Sequence, residues 1–122
     1  MSGAAQVQEV YAGELCGYHL WLGPQSSQAL NYADAIDWLR LQGKAYADHN
    51  FPLVAELQHL RLRLPGRFKQ VFCWSCQVRD NGDLDSYALA AVHMGSGLVV
   101  HFSPTVRCIV IATRLAPVSV SA

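Results

Sequence analysis

Four cysteines, five histidines and a knot of aspartates carry the chemistry open to this chain. Cys73-Trp74-Ser75-Cys76 has the C-x-x-C spacing of thioredoxin-like redox sites and of half of many zinc sites. The redox version opens a helix, whose N-terminus lowers the thiol pKa. Here the pair lies within Val71-Phe72-Cys73-Trp74-Ser75-Cys76-Gln77-Val78, whose composition predicts a strand with Phe72, Trp74, Cys76 and Val78 on one face. Strand positions three apart point to opposite faces, so these thiols are expected to share neither a metal nor a bridge. Cys16 and Cys108 stand far apart in sequence and in no ligand motif. Packed or free thiols are the expectation, with a disulfide or a redox or metal role as alternatives.

His93 and His101 flank Gly95-Ser96-Gly97, a hairpin tip. If Met94 pairs with Leu98, His93 faces Val99 and His101 faces Ala91, so both imidazoles share one sheet face. Two histidines fall short of a zinc ligand set. That face, with Tyr87, Leu89, Val99 and Ser103, is half polar: ordinary surface or half-buried histidines are the expectation, with a partner interface or a metal pair lacking a third ligand as alternatives. The opposite face, from Ala88, Ala90, Val92 and Met94 to Leu98, Val100 and Phe102, is the expected core. Asp80, Asp83 and Asp85 crowd a turn around Asn81-Gly82. Calcium takes about six to eight oxygens and the EF-hand spacing is absent, so these acids are expected to cap backbone N–H groups. No G-x-S-x-G, H-E-x-x-H or Walker loop occurs. No catalytic residue, metal ligand or cofactor is therefore assigned.

The elements that must position these residues follow from length and pattern. The chain has 122 residues, nine Lys+Arg, nine Asp+Glu, 52% apolar and 15% charged residues. Soluble domains average about 25% charged. One domain is expected, with a core over 16–115 and loose ends at 1–10 and 116–122. Zero net charge without a basic run argues against nucleic acid as partner. No apolar run approaches the ~20 residues of a membrane helix. The N-terminus has no basic or apolar leader region, which predicts no signal peptide.

Tyr18–Leu22 alternates and predicts a strand ended by Gly23-Pro24. Asn31 and Asp34 open a helix through Leu39, closed near Gly43. Asn50-Phe51-Pro52 opens a second, with Leu53, Leu57, Leu60 and Leu64 on one face. Strands follow at 71–78, Tyr87–Met94, Leu98–Phe102 and Val106–Thr113. Trp21, Trp38 and Trp74 are expected in or near the core. Helices segregated from antiparallel strands predict an α+β class.

In this order the chain resembles the small bacterial and phage domains related to the C-terminal domain of the Legionella collagen-like adhesin. Tyr32, Ala35 and Leu39 fit the family's first helix. Asn50-Phe51-Pro52-Leu53 with Glu56-Leu57 and Leu60 fits its second. Cys73-Trp74-Ser75-Cys76 fits its Tyr-Trp-Ser-Ser block. Tyr87-Ala88-Leu89 through Gly97, then Val106-Arg107-Cys108-Ile109, fits its closing blocks. The resemblance covers roughly residues 18–115. It implies a C-type-lectin-like fold, two helices on a twisted antiparallel sheet, distantly related to formylglycine-generating enzymes. Leu53 stands where the family has a capping Thr or Ser, so Asn50 is expected to cap instead. Leu89 replaces an aromatic residue. The family's Cys packs, which fits a packed Cys108.

The cysteine spacing does not reproduce the thiol and copper site of the formylglycine-generating relatives, and that activity stays a remote alternative. A non-enzymatic recognition module is the expected function. Its partner would be a protein, or alternatively a glycan. The resemblance implies a phage or prophage accessory protein, in the bacterial cytoplasm or the virion. The candidate surface is Arg67, Lys69, Asp80, Asn81, Asp83, Asp85, Tyr87, His93, Ser96 and His101. A charge-poor surface also admits a self-assembling homo-oligomer.

Overall fold

The computed structural model describes residues 9–43, 46–68, 70–83 and 86–118, with side chains except at 79–83 and 86–87. The described elements run β1 (Val10–Leu15), β2 (Tyr18–Gln25), α1 (Tyr32–Arg40), α2 (Val54–Arg63), β3 (Phe72–Asp83), β4 (Ser86–His93), β5 (Val99–Phe102) and β6 (Ile111–Pro117). This is an α+β arrangement. The strands form two antiparallel sheets, β1-β2-β6 and β3-β4-β5, rather than the single sheet expected. The last apolar run is the reason. Its first half stitches the sheets together: Trp74 N–H donates to the Ile109 carbonyl (3.0 Å), and Ile109 N–H donates to that of Phe72 (2.9 Å). Its second half then joins β2 as β6.

β1 has no counterpart in the sequence reading. It is joined to β2 by Cys16-Gly17, both with positive φ (52° and 82°), the backbone of a two-residue hairpin turn. Gly23-Pro24 does not end β2, which continues to Gln25 through an irregularity after Leu22. Asn31 caps α1 as expected, its side chain accepting the Asp34 N–H at 2.9 Å. Asn50 does not cap α2; its backbone pairs with Thr113 instead. Glu56 replaces the missing cap oxygen from inside the helix, accepting the Leu53 N–H at 2.7 Å, and the Gln77 side chain accepts that of Val54 at 2.7 Å.

Leu57 and Leu60 of α2 pack with Leu20, Leu22, Val92 and Ile111, while Ala35 of α1 packs with Trp74, Leu89, Ala91 and Val110. β4 therefore lies between two apolar clusters and is buried on both faces. Leu89 belongs to the core and not to a half-polar surface. In β3 the register shifts between Trp74 and Val78. Cys73, Trp74 and Ser75 are buried in succession, and Cys76 to Val78 are exposed. A bulge breaks alternation in this way. Asn81-Gly82 is not the turn expected. It lies within β3 at a second irregularity, and the hairpin closes at the pair Asp83–Ser86.

Candidate functional site

The sequence-nominated surface does not assemble as one site. Lys69 and Asp85 lie outside the described residues. Asp80, Asn81, Asp83 and Tyr87 stand on β3 and β4, with side chains outside the described set. Ala90 pairs with His101 and His93 N–H donates to the Leu98 carbonyl (2.8 Å). The register is thus one residue away from the expected Met94–Leu98 pairing. A one-residue shift reverses a strand's faces, so His93 and His101 lie on opposite sides. Met94 N–H points to the other neighbour and donates to the Val71 carbonyl (2.9 Å). Ser96 serves the turn: its N–H donates to His93 Nδ1 (3.1 Å), and its hydroxyl lies 2.9 Å from the same atom. His101 is exposed.

The thiols offer little nucleophilic chemistry. Burial pushes Cys73 up to about 12, with Cys108 nearby adding to it, and burial pushes Cys108 up to about 12 as well. Burial and the neighbouring Glu56 carboxylate raise Cys76 also. A thiol reacts as thiolate, and these three are held away from it. All four cysteines are free. Among the described residues, no group of three or more His, Cys, Asp or Glu side chains is placed to hold a metal ion.

A different constellation gathers where the two ends of the first sheet meet the loop before α2. Tyr11, Trp21 and Arg114 stand in cross-strand register on β1, β2 and β6, hence on one sheet face. The Arg114 guanidinium lies over the Trp21 ring at 5.4 Å. From there Arg114 grips Glu9 in a bidentate pair, Nε to Oε2 and Nη2 to Oε1, both 2.9 Å. His49 is enclosed behind it, its side chain 1% exposed. Its Nε2 lies 2.8 Å from Glu9 Oε2 and its Nδ1 3.1 Å from Asp48 Oδ1. The hydrogen bonds from Arg114 hold the Glu9 carboxyl below the usual carboxylate range, against a smaller opposing effect of burial. Gly23 makes room for this packing. A Cβ there would stand 2.5 Å from His49 Cδ2, 2.8 Å from its Nε2 and 3.2 Å from the Ala112 carbonyl oxygen.

Beside this network opens a cleft of about 460 Å³, within the roughly 300–1,000 Å³ of small-ligand sites. Val10, Leu22, Gly23 and Pro24 form its apolar part; Glu9, Gln25, Tyr46 and Arg67 supply its polar groups. Among the described residues, no Ser, Thr, Cys, Lys or His lines it. Glu9, the one carboxylate among its described lining residues, meets Arg114 through both oxygens and His49 through Oε2. The described lining can hold a ligand and orient it through a few polar groups.

Among the nominated residues whose side chains are described, only Arg67 reaches this cleft. Glu9, Tyr46, His49 and Arg114 went unrecognised. Glu9 and Arg114 are 105 positions apart, and only the pairing of β1, β2 and β6 brings them together. The one local signal is Gly23-Pro24, which reads as a strand end and lines the cleft. No family model, no curated protein and no solved structure matches this chain.

Proposed function

We propose that this protein is a non-enzymatic recognition module on a C-type-lectin-like scaffold, and that it binds a protein partner through the cleft between Glu9, Gln25, Tyr46 and Arg67. The cleft lining carries the reading: it combines apolar residues with polar groups, and the one carboxylate among its described residues is paired with an arginine. Sites of this composition bind by shape and a few directed contacts. The scaffold assignment rests on the sequence resemblance and on the two helices set against antiparallel strands. The resemblance also suggests a phage or prophage accessory role, in the bacterial cytoplasm or the virion.

A pull-down from bacterial lysate with the folded domain and its Tyr46→Ala variant tests the reading. Recovery of a protein by the first and its loss with the second is expected. Recovery of nothing, or equal recovery by both, would overturn it. Binding to a glycan array that is lost in Tyr46→Ala would replace the protein partner with a sugar. Self-association is the second reading. It draws on Leu62, Leu98 and Val78, which are 68%, 58% and 57% exposed. Light scattering that shows only monomer at high concentration removes it.

A further inference from the structure

The electrostatics of the cleft narrow its ligand class. Two ionic side chains line it among the described residues, Glu9 and Arg67. Glu9 has both oxygens engaged and its charge paired, which makes it a poor anchor for an incoming cation. Its Oε1 accepts from Arg114 Nη2, and its Oε2 faces Arg114 Nε and His49 Nε2. The charge of Glu9 is also offset by Arg114 in the same contact. Arg67 is in the opposite condition. Its backbone N–H donates to the Leu64 carbonyl, but its guanidinium meets no acceptor among the described residues and is exposed at the cleft. Among the described residues a ligand entering the cleft therefore finds one uncommitted charge, a planar cation with five donors. Such a fork matches the two oxygens of a carboxylate. Beyond it lie Val10, Leu22 and Pro24, which give an apolar stem a place to rest.

We propose that the cleft binds a carboxylate carried on a short apolar stem, with Arg67 as its anchor. This rests on the recognition reading and names the chemistry of its partner: an acidic side chain or a chain terminus of a peptide segment. The site is distinct from the aspartate-rich hairpin and the histidine turn that the sequence singles out.

An NMR titration of the ¹⁵N-labelled full chain decides the matter. One probe is the capped peptide acetyl-Leu-Glu-Ala-amide, a second is acetyl-Leu-Ala-Ala with a free C-terminus, and the control is the capped peptide with Gln for Glu. At least one acidic probe is expected to shift the amides of Val10, Leu22, Gly23, Gln25 and Tyr46, and which one does so identifies the source of the carboxylate. Arg67→Ala should weaken that binding by at least about fivefold, Arg67→Lys should weaken it less, and the Gln control should bind at least about fivefold more weakly. The thermal melt of Arg67→Ala should match that of the parent chain, since no described partner is lost. The proposal is overturned if neither acidic probe moves these amides at about 10 mM, an affinity below any useful contact. It is equally overturned if Arg67→Ala or the Gln control binds as well. Should the probes fail while the pull-down still depends on Tyr46, the recognition reading stands and the carboxylate assignment falls.

Discussion

Gly23→Ala puts the packing behind the cleft under direct strain. Gly23 has an ordinary negative-region backbone, so an alanine there meets no conformational penalty. Where space allows, such a change stabilises by ~0.4–1 kcal/mol through the unfolded chain. Here the new methyl would stand 2.5 Å from His49 Cδ2, with the Ala112 carbonyl at 3.2 Å on its other side. The His49 ring has little room to yield, since it is enclosed between Glu9 and Asp48 and rests edge-on to Tyr46 at 5.0 Å. Overpacking of this kind costs ~1–3 kcal/mol. Losing the contact to the Glu9 carboxylate adds ~1–2 kcal/mol. The expected change is a destabilisation of about 2–4 kcal/mol, read as a lower urea midpoint at unchanged slope. In the His49→Ala background the same methyl has space, and the penalty should fall by more than half, a coupling that a double-mutant cycle measures. A Gly23→Ala protein as stable as the parent chain, or more so, would refute the reasoning.

Other predictions concern the ionisable groups. Glu9→Gln should cost about 1.5–3 kcal/mol at pH 7, because it leaves Arg114 and His49 without their shared carboxylate. The folded Glu9 titrates below its ordinary 4.5, so its contribution is present above that pH and fades as pH falls through the lower folded value. Urea midpoints of the two proteins should therefore converge in acid; a constant gap would contradict the assignment. Glu56 has the opposite sign. Burial raises its folded pKa, so ionising it as pH rises weakens the fold, and Glu56→Gln should gain stability relative to the parent between pH 4 and pH 8. Thiol labelling of the native protein at pH 8 should modify Cys16 readily and Cys76 more slowly, sparing Cys73 and Cys108 until denaturant is added. Native labelling of Cys73 would show that β3 opens.

What the sequence made legible was local. Asn31 and Asp34 announced a capped helix because the cap and its N–H donor are three residues apart. Leu57 and Leu60 announced the buried face of α2 by spacing alone. Reading failed wherever a contact from elsewhere decided the outcome. The α2 cap comes from Glu56 and Gln77 since Leu53 has no acceptor to give. The β4–β5 register differs by one residue from the one the Gly95–Gly97 turn suggests, and that one residue puts His93 and His101 on opposite faces. Asn81-Gly82 is a strong turn signal on its own, yet β3 and β4 run past it and close their hairpin beyond. The cleft and the network beside it are least legible, since Glu9, His49, Arg67 and Arg114 come from four separate segments that only the first sheet and the loops around it unite.

Hydrogen exchange on the domain, free and with the protein recovered in the pull-down, tests the central claim most directly. A recognition module working through this cleft should gain protection at 9–10, 22–25, 46–49 and around Arg67, with the β4–β5 turn unchanged. Protection confined to the β4–β5 turn or the β3–β4 hairpin, with none around the cleft, would contradict the account.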